Sequence, residues 1–334
     1  MMAAPNRRAL RPGVYAPLPT FFNDEQEIDY ECYKKHLLNL ATRGMVCAGS
    51  LGEAVHLDFE ERQTLIRFIR ATLDDAGLQL TPIVAGVGGS SPERLLSSQK
   101  PLQKREQMRA WSSSPAYYAA SLNADSSQVI QYYVDICEGS PIPILLYNFP
   151  ANAGGQDMSS EIICSIIKQA PNLCGVKLTC GGSVAKLVRL CATISEDRTI
   201  NSTRKFPFLL LDGLIADLTP WMKCGGHGTV SGIPNFAPVA SMRLWHLLSL
   251  PSPSEEESAE AARIQGILSR ADVAAVPGGI RAMKYALNRL HGYSIAPRKP
   301  LLPLKESDGE LFMSALGEMI EFERSMTRSS NIGL

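Results

Sequence analysis

The 334-residue chain lacks an excess of charge of either sign: 33 Lys and Arg balance 33 Asp and Glu. Such a balance gives no electrostatic footprint for nucleic acid or an anionic membrane, and neither is expected as a partner. Long apolar runs are also missing, since none approaches the roughly 18 residues of a membrane span. Residues 1–12 carry Arg7, Arg8 and Arg11 but no apolar segment, so they do not read as a secretory signal. They are basic and acid-free, which leaves a mitochondrial address open, yet short for a transit peptide; the expected compartment is the cytosol. The eight cysteines include no Cys-x-x-Cys pair, and the five histidines include no pair at helical spacing. That excludes a zinc site or disulfide frame built on those patterns, and the cysteines read as small buried hydrophobes in a reducing compartment. No metal and no organic cofactor is expected.

What is present is alternation. Apolar strand-like runs lie at 13–20, 45–48, 82–87, 142–147, 174–178, 208–212 and 228–231. Between them, helical spacing covers 28–42, 59–76, 124–137, 159–170, 184–193 and 214–224. Strands alternating with helices predict a parallel sheet. Seven strands are visible where a closed (β/α)8 TIM barrel needs eight, and the gap falls between Val87 and Ile142. Beyond Asn235 the pattern is helical, at 238–250, 255–270, 278–291 and 310–325. The expected organisation is an extension (1–12), a barrel (13–235) and a C-terminal helical domain (236–334).

Two residues in this frame carry chemistry. Lys177 is the only charge in the apolar run Leu173–Leu178, and Tyr147 closes the run Ile142–Tyr147. The helix between makes one βαβ unit, which puts both residues at the same end of parallel neighbours. Desolvation disfavours an ammonium, so a buried amine is available to attack a carbonyl, with the phenol beside it as proton carrier. Each residue alone reads equally as structural: a lysine snorkelling at a strand end, a core tyrosine with a satisfied hydroxyl. Barrel sites sit at the C-terminal strand ends, where this chain also places Gly49-Ser50-Leu51-Gly52-Glu53, Asp212 and Gly225-Gly226-His227-Gly228. The first turn can aim backbone N–H groups at a carboxylate. Glu53 reads either as a general base or as a helix-start residue, and Asp212 is open in the same way.

These pieces, with Pro115-Ala116-Tyr117-Tyr118, Tyr147-Asn148-Phe149-Pro150, Gly175-Val176-Lys177 and the Gly225–Ser231 run, occur in an order that resembles the dihydrodipicolinate synthase / N-acetylneuraminate lyase family of class I aldolases. The resemblance covers about residues 13–304 and implies a (β/α)8 barrel with a C-terminal helical domain, usually a homotetramer. It implies that Lys177 forms a Schiff base with pyruvate or a related keto acid. Tyr147 would be the acid/base, Ser50 the relay hydroxyl, and Tyr118 the tyrosine that reaches a neighbouring subunit's site. The Ser50-Leu51 backbone would hold the carboxylate, and Val230 would line the pocket. Where the lysine-pathway synthase carries an arginine, this chain has Asn152, and an amide cannot replace a guanidinium fork. The Pro-Ala-Asn stretch instead resembles 4-hydroxy-2-oxoglutarate aldolases. Gly52–Leu57 and Lys177–Gly181 are similar to aldolases of 2-keto-3-deoxy sugar acids. Leu51 departs from the polar residue usual there.

Residues 91–115 have no apolar stripe and no strand pattern where the family places a helix and its fourth strand. Reading Arg94–Ser112 one frame over permits a helical sequence followed by an apolar one, which suggests two compensating frame shifts. The run before Gly49 is also short of the family's second strand. The expected activity is cleavage or formation of a 4-hydroxy-2-oxo acid by a lysine Schiff base. The alternatives are synthase or sialic-acid-type lyase activity in the same fold, or a folding-impaired, non-catalytic paralogue.

Overall fold

The computed structural model describes residues 10–41, 50–86, 108–113, 117–181, 183–197, 200, 202, 204 and 206–331. Among them run seven strands: β1 (Gly13–Tyr15), β2 (Ile83–Gly86), β3 (Met108–Ser113), β4 (Ile144–Asn148), β5 (Leu173–Leu178), β6 (Leu209–Asp212) and β7 (Gly228–Val230). The chain divides into two compact units. Within the first unit the strands hydrogen-bond in the order β6-β5-β4-β3-β2, and in the second β7 neighbours β1. The ladders from β2 through β6 are all parallel.

The first unit is built mainly from Leu80–Gly213 and Pro220–Gly228. It holds β2 to β6 with helices α3 (Ala119–Ala124), α4 (Ser126–Gly139), α5 (Ser160–Gln169) and α6 (Ser183–Glu196). β4 and β5 are buried along their whole length, as strands covered on both faces must be. Gly175 lets the strands close up: a Cβ there would lie 2.4 Å from the Leu209 carbonyl and 2.7 Å from Leu145 Cδ1. α5 starts on a Ser159 cap and buries Ile163, Ile166 and Ile167, the stripe its spacing foretells.

One expectation is corrected here. The sequence offers no strand between Val87 and Ile142, yet β3 pairs with β2 from Ile83↔Met108 to Gly86↔Trp111 and with β4 from Ala110↔Ile144 to Ser113↔Tyr147. A central parallel strand is held by backbone bonds to two neighbours, which no side-chain pattern has to announce. The expected strand at 45–48 and the stretch 91–107 lie outside the described residues.

The second unit comprises Gly13–Gln79, Leu214–Thr219 and Thr229–Leu334. It contains α1 (Tyr30–Ala41), α2 (Phe59–Asp75), α8 (Pro238–Leu248), α9 (Glu255–His291), α10 (Glu306–Ala315) and α11 (Gly317–Asn331), while α7 (Leu218–Lys223) straddles the division. α2 opens on an Asp58/Glu61 capping box and α9 on a Ser254/Glu257 one. The two helices expected at 255–270 and 278–291 are present as the two arms of α9, which meet at a kink at Gly279, whose φ of 55° departs from helical backbone two residues after Pro277. Similarly, 310–325 is divided into α10 and α11 at Leu316 and Gly317.

Candidate active site

In the first unit, Tyr147 and Lys177 are ladder partners. Both side chains are 7% exposed, and the Lys177 amine lies 4.3 Å from the centroid of the Tyr147 ring. The row extends to Ser113 on one side and Leu211 on the other. A lysine and a phenol are thus held face to face by strand geometry, without a flexible loop between them. Cation–π attraction favours that placement whenever the amine is charged.

The chain just beyond these residues is braced by hydrogen bonds. Asn148 Nδ2 donates to Asp157 Oδ1 at 2.7 Å, and Asn148 Oδ1 accepts from Met158 N at 3.1 Å. Lys186 Nζ, on α6, donates to Asp157 Oδ1 at 2.6 Å, to the Met158 carbonyl at 2.7 Å and to Cys180 Sγ at 3.3 Å. The Thr179 N–H donates to the Asn148 carbonyl at 2.9 Å. Gly213 follows β6 and must be glycine, because a Cβ would sit 1.9 Å from Thr179 Oγ1. Asp212, left open by the sequence, accepts from the Gly213 N–H at 2.7 Å and is 1% exposed, a turn-closing role. His227 is likewise structural: its N–H donates to the Leu210 carbonyl at 2.8 Å and its Nδ1 accepts from Leu210 N at 3.1 Å. Burial holds the His227 imidazole below its ordinary pKa.

Two further site candidates belong to this unit. Tyr118 is 85% exposed and caps α3 with a left-handed φ of 63°. Asn152 is exposed at the end of the short helical turn Pro150–Asn152 that follows β4, its N–H donating to Phe149 O at 3.0 Å. The sequence reading assigned no role to Lys186, Asp157 or Asn148. A lysine inside the otherwise helical, apolar α6 pattern was the available signal.

The remaining candidates lie in the second unit. The backbone of Ser50–Gly52 forms a single helical turn, and Thr20 Oγ1 donates to the Gly52 carbonyl at 2.7 Å. The Ser50 side chain lies outside the described residues, as does Gly49. Leu51 packs towards Gly232, where a Cβ would be 3.5 Å from Leu51 Cδ1. Val230, two residues before it on β7, is 2% exposed. Glu53 stands at the start of the short helical turn Ala54–His56, as one of its two readings had it, though without a side-chain capping bond; it is 4% exposed and ion-paired with Lys284, a residue of α9 that is fully buried. Its carboxylate also accepts from Arg298 N at 2.9 Å and lies 3.0 Å from His56 Nδ1. Among the described residues no group of three or more His, Cys, Asp or Glu could hold a metal ion, and no helix is long and apolar enough to cross a membrane.

Comparison with known proteins gives this arrangement a context. The "Probable 4-hydroxy-2-oxoglutarate aldolase, mitochondrial" of Emericella nidulans is 33% identical over 96% of this chain and 98% of its own length. The L-threo-3-deoxy-hexylosonate aldolase of Aspergillus niger is 31% identical over 95% and 97%. A crystal structure of a dihydrodipicolinate synthase family protein from Coccidioides immitis superposes with a TM-score of 0.80 at 25% identity, covering 96% of this chain and 99% of that one. The fold is therefore that of these (β/α)8 barrels with a C-terminal helical region. The Dihydrodipicolinate synthetase family matches residues 11–319, and the chain belongs to that family.

Proposed function

We propose that the chain is a Schiff-base aldolase that cleaves or forms a small 4-hydroxy-2-oxo acid. The observation that carries this reading is the Tyr147–Lys177 ladder pair, with the amine 4.3 Å from the phenol ring's centroid. Lys177 attacks the C2 carbonyl of the oxo acid and water leaves, giving an iminium that serves as electron sink. Tyr147 takes the proton from the C4 hydroxyl as the C3–C4 bond breaks and the carbonyl product departs. The remaining enamine takes up a proton at C3, and hydrolysis frees pyruvate and the amine. No metal or organic cofactor is required.

Asn152 stands where the lysine-pathway synthase has its arginine, and an amide cannot supply that guanidinium fork, which argues against the synthase reaction. The names of the Emericella and Aspergillus relatives support 4-hydroxy-2-oxoglutarate or a 3-deoxy sugar acid as substrate. Ser50 supplies the relay hydroxyl, the Ser50-Leu51 backbone the carboxylate grip, and Val230 part of the wall. Tyr118, exposed in the single chain, is the side chain offered to a neighbouring subunit, and the assembly is a homotetramer. The barrel comprises 13–235 and the helical domain 236–334, after an extension at 1–12. The compartment is the cytosol; cell fractionation decides between it and the mitochondrion of the Emericella relative's name.

The test is pyruvate release, followed with lactate dehydrogenase, from 4-hydroxy-2-oxoglutarate, a 2-keto-3-deoxy sugar acid and N-acetylneuraminate. Pyruvate from either of the first two, undiminished by a chelator, is expected. Pyruvate only from N-acetylneuraminate, or activity lost with the chelator, counts against the reading.

A further inference from the structure

The second buried lysine is the more expensive one. Lys284 is 0% exposed, its partner Glu53 is 4% exposed, and the two meet in an ion pair within the second unit. Lys284 Nζ also donates to the Ala296 carbonyl at 2.9 Å and lies 4.5 Å from the centroid of the Phe22 ring. Burial lowers the Lys284 pKa to about 8 in spite of the carboxylate beside it. Removing two charges from water costs more than their attraction returns in many proteins, and apolar replacements are often as stable. Stability alone is a poor explanation for such a pair.

What the pair does hold is backbone direction. Glu53 has φ 51° and ψ 35°, a left-handed conformation that is strained for a non-glycine residue. It immediately follows the Ser50–Gly52 turn, whose last carbonyl is tied to Thr20. Three groups converge on its carboxylate: Lys284 Nζ and the Arg298 N–H from distant parts of the sequence and, three residues on, the His56 ring. Arg298 is itself fixed by two 2.7 Å bonds to Glu61 on α2 and by the Gln26 carbonyl. The side chain of Glu53 is therefore a strut that ties the residue after Gly52 to Lys284, Arg298 and His56.

We propose that Lys284 is a positioning residue: through its ion pair with Glu53 it sets the direction of the Ser50–Gly52 backbone and so the grip on the carboxylate of the oxo acid. This rests on the aldolase reading above, in which that turn holds the carboxylate. Lys284 touches no reacting atom, so its loss weakens substrate binding more than it slows the chemistry.

The experiment compares wild type, Lys284→Met, His56→Ala and the double variant Glu53→Gln/Lys284→Met. Lys284→Met strands a buried carboxylate and is expected to be much less stable. The double variant removes both charges and recovers most of that loss. Its KM for the oxo acid is expected to rise at least about 10-fold while kcat stays within about 3-fold, a split that a purely structural pair would not produce. His56→Ala removes one contact at the rim and is expected to raise KM by about 3-fold, which tests the strut even where the core variants do not fold. A folded double variant or His56→Ala protein with wild-type KM overturns the proposal. Wild type that neither cleaves an oxo acid nor forms an adduct with pyruvate overturns the aldolase reading itself, and this inference with it.

Discussion

Acid should weaken the second unit through one histidine. His36, on α1, is 1% exposed, and its Nε2 lies 2.8 Å from Asn235 Oδ1. The Asn235 amide donates to the Pro17 and Gly232 carbonyls at 3.2 and 3.0 Å, so its oxygen faces the ring and Nε2 carries the hydrogen. Nδ1 is left as a buried atom with no hydrogen-bond partner among the described residues, and the ring packs edge-on against Phe21 and Tyr293 at 5.6 and 5.5 Å. Protonation would bury a charge and an unanswered N–H there, and desolvation lowers the pKa from 6.5 to about 4. Because the folded value lies below the unfolded one, the unfolded chain gains the proton first. Stability falls as pH drops from 6.5 to about 4, by roughly 3 kcal/mol in all.

Carboxylates add to the loss at the acid end: Glu61, held below its ordinary 4.5 by its bond to Arg298, contributes stability that is lost as pH falls below about 4.5. The histidine is isolated by His36→Gln, which keeps a donor for Asn235 but has no ring to charge. Urea unfolding at about pH 7 and about pH 4.5 should find the variant less stable at the higher pH. By the lower pH the difference should have narrowed or reversed, wild type having lost about 2.5 kcal/mol more than the variant. Parallel stability curves for the two proteins would refute the argument.

Other outcomes follow from the same structure. Tyr147→Phe should lower kcat by about 10²–10⁴-fold while pyruvate still forms an adduct at Lys177, because only the proton carrier is lost; an unchanged kcat assigns the proton to another group. Asp272 is 3% exposed, accepts from Ala216 N at 3.1 Å, and is pushed up to about 6 by burial. A carboxyl with a raised folded pKa loses stability as pH rises from 3.8 to about 6. Asp272→Asn should therefore be more stable at neutral pH, by as much as roughly 3 kcal/mol, and a lower melting temperature would contradict this. Sequencing the transcript across codons 94–114 should reveal the two compensating shifts, and a clean read in the printed frame would remove them.

How much was legible depended on whether the deciding interaction was local. β4, β5 and the α5 between them were readable because a fully buried βαβ unit writes apolar runs and a helical stripe into consecutive residues. Lys177 stood out for the same reason, as a charge where none belongs. β3 was not readable: Met-Arg-Ala-Trp-Ser-Ser has neither alternation nor an apolar run, and its place comes from ladders on both sides. Glu53 is at a helix start, as one reading had it, but its ion pair was not legible because its partner lies 231 positions away, by subtraction of 53 from 284. Yet Ala282-Met283-Lys284-Tyr285-Ala286-Leu287 is a lone charge in an apolar helix, and the test applied to Lys177 would have marked it. The break at Gly279 that separates the two expected helices is foreshadowed by Pro277-Gly278-Gly279.

The most direct measurement is borohydride trapping. The purified protein is incubated with pyruvate, reduced, digested and searched by mass spectrometry for the added pyruvyl mass. The account predicts one adduct, on the peptide containing Lys177, and none in Lys177→Arg. Folded wild-type protein without that adduct, or with it on another lysine, would contradict the central claim.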